Sequence, residues 1–236
     1  MMGEHSSRQY DLDLETLRSK VLLMGGLVEN QFHDAIASFK SGNSELAANV
    51  VIADANVNQL EITLDEACRQ LILKRQPAAN DLRTVMATVK MITDLERIGD
   101  EASKIARIAQ SKEASRSGSG FNDYETIRIL AAKASNLLHD ALDAMARLDE
   151  KQAVKLIVQD TIIDHDFSSV MRNLITYMME DPRTISSALD TLWVAKSIER
   201  IGDHAKNIAE HVIFIVEGKD IRHTDYATTQ ADETQP

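Results

Sequence analysis

The 236-residue chain is long enough for one large or two small domains, and with 44% hydrophobic and 27% charged residues it can bury a sizeable core, which excludes wholesale disorder. Its 26 basic and 37 acidic residues leave a formal net charge of −11 with no dense basic patch, so direct nucleic-acid binding is not expected.

Residues 1–10 are polar and lack the basic-then-apolar pattern of a signal peptide. From there, apolar residues recur at spacings of three and four almost to the end. Leu14, Leu17, Val21, Val28, Phe32, Ile36 and Phe39 predict a first helix that stops near Ser41-Gly42-Asn43. Gly25-Gly26 within it reads as close packing or a kink. A second helix is predicted from about residue 44 to 75, with Val51, Ala55, Leu60, Leu64, Ala67 and Leu71 inward, before Pro77. It carries the single cysteine, Cys68, which excludes an internal disulfide and, in its apolar run, reads as a buried inert thiol. A third helix is predicted over about 79–112, carrying Val85, Val89, Ile92, Leu95, Ala102, Ile105 and Ala109. The segment SRSGSG at 115–120 has a linker's composition. Helices over about 122–147, 150–180 and 184–217 follow, with Asp181-Pro182 breaking the last two apart and Gly218 ending the series.

Only three prolines interrupt this chain, one of them the terminal Pro236, where average usage gives about a dozen. No apolar run approaches the roughly 18 residues that span a bilayer. The expected architecture is all-α: two tandem, pseudo-symmetric three-helix bundles over 10–112 and 122–218, a flexible linker at 113–121 and a loose polar tail at 219–236. The expected state is soluble and cytoplasmic, without direct membrane insertion.

The symmetry is written in the residues. Glu96-Arg97-Ile98-Gly99-Asp100 recurs as Glu199-Arg200-Ile201-Gly202-Asp203, 103 positions later, and His33-Asp34-Ala35 recurs as His139-Asp140-Ala141, 106 later. Duplication explains both. Glu96 with Asp100, and Glu199 with Asp203, each project from one helix face, where like charges cost a few tenths of a kcal/mol, on the order of 0.2–0.5, unless offset. A second repeated pair lies upstream, Asp54 with Asn58 and Asp160 with Asp164; a fainter third is Asn30 with Asp34 and Asn136 with Asp140.

The centres of Asp54–Asn58 and Glu96–Asp100 lie 21 positions either side of Pro77, and the second-half pairs lie 20 and 19 from Pro182. In antiparallel hairpins rising about 1.5 Å per residue, that puts each set at one height, though height does not fix azimuth. Oxygen donors gathered at one level suit a hard cation such as Mg²⁺, Mn²⁺, Fe or Ca²⁺. The Glu-x-x-His signature of di-iron bundles is absent from these pairs. Arg97 and Arg200 are alternative partners for carboxylates on neighbouring helices. Gly99 and Gly202 sit mid-helix at a cost of about 1 kcal/mol each relative to Ala, which calls for close helix approach or room for a ligand. His204 and Asn207 are candidate outer partners of the second site; only one neighbouring acid can share the face of His165. His211 and His223 read as surface residues, and Met171, Met178 and Met179 as core filler.

At the twice-written Glu-Arg-Ile-Gly-Asp, the chain resembles the PhoU family of phosphate-transport accessory proteins over about residues 10–218. Asp81-Leu82-Arg83 after Gln76-Pro77, and Ile198 through His204, carry the same resemblance. It implies two symmetric three-helix bundles, usually self-associated as a homodimer, with divalent or trivalent metal ions (Mg, Mn, Fe or Zn) at Glu96, Asp100, Glu199 and Asp203, followed by Asp54, Asn58, Asp160 and Asp164. It implies a negative regulator, not an enzyme, that couples the ATPase subunit of a phosphate ABC transporter to a sensor histidine kinase, peripheral to the inner membrane through those partners. Asn58, in place of an acid, implies weaker binding in the first half. From the residues alone, a carboxylate-bundle oxidoreductase or hydrolase and a metal-free acidic scaffold stay open.

Overall fold

The computed structural model describes residues 2–114 and 124–221, which form six α-helices and one 3-10 turn. In the first half these are α1 (Met2–Ser41), α2 (Ser44–Arg75) and α3 (Asn80–Ala114). The second half has α4 (Tyr124–Arg147), α5 (Glu150–Glu180) and α6 (Ile185–Glu217), with Pro182–Thr184 as the turn before α6.

Each boundary has a local cause. Gly42, at φ +66°, ends α1 in the left-handed region and donates its amide to the Ser38 carbonyl at 2.9 Å. Asn43 then caps α2, its Oδ1 accepting from the Leu46 amide at 2.9 Å, and Asp149 caps α5 in the same way from Gln152 at 3.0 Å. The α1 stripe Leu17, Val21, Met24, Val28, Phe32, Ala35 and Phe39 is buried throughout. Helix α1 starts earlier than its apolar repeat, because Gln9 donates to Asp13 one turn on and Tyr10 is buried in the core. The linker region from residue 115 and the tail from residue 222, His223 included, lie outside the described residues. Where the tail begins it is not loose: Ile221 is buried in the core.

The halves share one core. Among the described residues, α2 packs only on α1 and α3, and α5 on α4, α6 and the turn; the largest interface is α3 on α6, across the halves, with α1 on α4 beside it. Gly25 makes the second contact close, since a Cβ there would lie 2.5 Å from Leu142 Cδ2. Gly26 meets nothing, so of the two only Gly25 is required by packing. Arg83 of α3 donates from Nε and Nη2 to the Ile215 carbonyl at 3.1 and 2.9 Å, satisfying the C-terminal turn of α6. This arrangement leaves the α2–α3 groove and the α5–α6 groove on the outer flanks, and the acids of the two repeated pairs on α2, α3, α5 and α6 line those two grooves.

Candidate cation sites in the outer grooves

In the α5–α6 groove, ligand oxygens of Asp160, Asp164 and Asp203 lie within 4.8 Å of one another, the one such group of three among the described residues. Asp160 is buried, Asp203 half-buried and Asp164 exposed. Gly202 allows the approach: a Cβ there would meet Ile163 Cδ1 at 3.2 Å and Asp160 Oδ1 at 3.3 Å. The three acids are not alone. Lys206 Nζ donates to Asp160 Oδ2 at 2.6 Å and to Asp203 Oδ1 at 3.4 Å. Burial alone would lower the ammonium's pKa, but the bond to Asp160 and the charges of Asp160 and Asp203 raise it. Burial also raises the Asp160 carboxyl despite Lys206, with Asp164 and Asp203 adding to the rise. Glu199 stands apart from this group. Lys196 Nζ holds both its oxygens, at 2.6 and 2.7 Å, while lying 5.2 Å over the Phe167 ring.

The α2–α3 groove is built from the same backbone with different chemistry. Gly99 is the counterpart of Gly202, and its missing Cβ leaves room for Gln31 Oε1 at 3.2 Å, Val57 Cγ1 at 3.3 Å and Asp54 Oδ1 at 3.5 Å. Gln31 reaches in from α1, donating from Nε2 to Asp54 Oδ1 at 3.0 Å and to the Gly99 carbonyl at 3.3 Å. Its own Oε1, and Asn58 Oδ1, are buried with no hydrogen-bond partner. Burial raises the Glu96 carboxyl, and the charges of Asp100, Glu61 and Asp54 raise it further against the pull of Arg97. Arg97 is half-exposed at 3.6 Å from Glu96. Uncapped amide oxygens beside crowded carboxylates are the donor set a hard cation takes, and they fit one here.

Several residues serve elsewhere than expected. His204 and Asn207 turn away from Asp203 to the α3–α6 seam, where they bond Asp94 Oδ1 at 2.9 and 3.1 Å. His211 is no surface residue: it is buried and bonds Asp94 Oδ2 at 3.2 Å. These bonds hold Asp94 at about 2 although burial opposes them, so the carboxylate accepts and both rings donate. Arg200 crosses to buried Glu101 at 3.0 Å, whereas Arg97 stays on its own helix. Cys68 is buried, its thiol pushed up to about 11 by burial. Asn30 and Asn136 are exposed, and it is Gln31 that α1 contributes to the α2–α3 groove. Lys206, Lys196 and Gln31 were not legible as site residues from motif spacing. Aligning the two copies finds the lysines, since Ser103 and Thr93 occupy their positions in the first half.

The PhoU domain family matches twice, over residues 21–109 and 127–212. The phosphate-specific transport system accessory protein PhoU of Escherichia coli is 45% identical over 222 residues, covering 94% of this chain and 91% of that protein. The PhoU homologue of Pseudomonas aeruginosa is 44% identical over the same length, with 94% and 91% covered. The crystal structure of PhoU from Pseudomonas aeruginosa superposes with a TM-score of 0.86 at 43% identity, covering 89% of this chain and all of that one. A Streptococcus pneumoniae phosphate transport system regulatory protein PhoU, at 24% identity and a TM-score of 0.81 over 89% of this chain and 98% of that one, shares the fold.

Proposed function

The chain belongs to the PhoU family, and on that premise we propose that it is a negative regulator of the phosphate-starvation response. It acts as an adaptor, linking the ATPase subunit of a phosphate ABC transporter to a sensor histidine kinase and restraining uptake when phosphate is plentiful. The carrying observation is the 45% identity across 94% of the chain to a protein named for phosphate-specific transport. It works as a homodimer in the cytoplasm, meeting the membrane through its partners, in keeping with described helices of which none is long and apolar enough to cross a bilayer. It is not itself an enzyme. The histidines that a redox or hydrolytic centre would recruit from α6, His204 and His211, are engaged by Asp94 instead.

The paired acids are its candidate cation stations: Asp54, Asn58, Glu96 and Asp100 in the first half, and Asp160, Asp164, Glu199 and Asp203 in the second. These residues would hold a divalent or trivalent ion, which would supply the positive charge to offset their mutual repulsion.

Alkaline phosphatase activity in phosphate-rich medium tests the regulatory reading. Deleting this gene raises it, and restoring the gene returns it to the repressed level. Unchanged low activity in the deletion strain overturns the repressor role. Affinity purification of the full chain from cells at high phosphate recovers the transporter ATPase and the kinase.

A further inference from the structure

We infer that the two copies have divided the cation between them: the α2–α3 groove takes a metal ion, while in the α5–α6 groove the Lys206 ammonium occupies the metal's place. This rests on the reading of the acids as cation stations and decides which of them is one.

The counterparts carry the inference. Each groove has four carboxylates, Asp54, Glu61, Glu96 and Asp100 in one and Asp160, Asp164, Glu199 and Asp203 in the other. Ser103 and Thr93 in the first copy become Lys206 and Lys196 in the second, and Glu61 becomes Phe167. The second groove thus holds two ammonium groups, one bridging Asp160 to Asp203 and one closing on both oxygens of Glu199. A metal ion there would compete with Lys206 for Asp160 and Asp203, and two cations held on the same pair of carboxylates repel each other. Asp160 and Asp203 already converge on a cation of the chain's own, with Asp164 beside them. In the first groove no lysine among the described residues bonds the four carboxylates, and Arg97 reaches Glu96 only from an exposed position, at 3.6 Å. Buried Gln31 spends its amide nitrogen on Asp54 and leaves Oε1 without a partner, and Asn58 Oδ1 is equally bare. Both are oxygen donors, the type that a hard cation completes; Asp160 Oδ1 in the second groove is bare as well, but there Lys206 already holds the other oxygen of the same carboxylate.

Mn²⁺ titration of the chelator-stripped full chain, with free ion counted by electron paramagnetic resonance, tests this. Tight uptake occurs in the native chain and falls at least tenfold in Asp100→Asn and in Glu96→Gln. Asp203→Asn keeps it within twofold. Lys206→Gln adds a second saturable uptake, and Lys206→Met does the same if Gln disturbs the groove; circular dichroism checks that each variant is folded. Equal loss from Asp203→Asn and Asp100→Asn overturns the division of roles while leaving the cation stations in place. No gain from either lysine variant also overturns it. Absence of tight uptake in the native chain overturns the cation stations themselves.

Discussion

Asp94 is a single carboxylate on which the two halves converge, and its environment makes its contribution dependent on pH. Held at about 2 in the fold against an ordinary 3.8, it contributes stability that is complete above the unfolded value and is lost as pH falls from about 4 to 2. The shift corresponds to roughly 2 kcal/mol. Urea unfolding between pH 5 and 2.5 is therefore expected to show a shallower pH slope for Asp94→Asn than for the native chain; parallel slopes would refute the role of the seam. Glu96 behaves in the opposite sense. Its carboxyl is raised by burial, then by Asp100, so in metal-free protein its charge opposes folding once pH rises through its ordinary range. Glu96→Gln is expected to raise the melting temperature of the chelated protein at neutral pH and to lower the gain from added Mn²⁺. Glu96 stood out in the sequence through its repeated motif, but Asp94 and the two histidines it meets did not, because three- and four-residue spacing along one helix says nothing of the helix it faces.

The helix boundaries were legible to within a few residues, since caps and apolar stripes are local, apart from the start of α1 at Met2; on α2 the inward face is turned from the one expected, with Ala55 exposed and Val50, Asp54 and Val57 buried. Ser41-Gly42-Asn43 carries both the stop of α1 and the cap of α2, and Asp149 starts α5. What Asp81-Leu82-Arg83 does was not legible, because its partner lies more than 130 positions away. Arg83 is the clamp on α6, donating twice to Ile215, with Gly218 at φ +78° lying directly against its guanidinium. Arg83→Ala is expected to cost about 1–3 kcal/mol in urea unfolding, as a charged donor to a helix end does. Arg83→Lys is expected to recover less than half, because an ammonium cannot fork onto the carbonyl from two nitrogens. Equal stability of the alanine variant would show that water replaces the clamp without cost.

Taken whole, the molecule is less divisible than its repeat implies. The largest interface joins α3 to α6 across the halves, and one core runs through both. Calorimetric unfolding is expected to give a single transition with calorimetric and van't Hoff enthalpies in agreement. Two resolved transitions would show that the seam is weaker than either bundle. Cation binding adds to this whole-chain stability: at a hundredfold excess over the dissociation constant, Mn²⁺ contributes about 2.7 kcal/mol, or about 5–10 °C for a chain of this size. In Asp100→Asn that increment is expected to shrink.

The sequence by itself determined the helical class, the six segments, the duplication and the family, because periodicity, caps and repeated motifs are properties of neighbouring residues. It also placed the acids at matched heights, since a hairpin converts distance from the turn into height. Only the tertiary structure decided azimuth and partners. Asp160 and Asp203 meet around Lys206, Glu199 closes on Lys196, and Gln31 crosses from α1 to Asp54. Read as a string, the second copy is the richer in acid and Asn58 marks the poorer site. In the fold each groove holds four carboxylates, but Lys206 and Lys196 bond those of the second while no described lysine bonds those of the first, because a carboxylate's availability depends on the charge packed against it and not on the acids beside it in sequence.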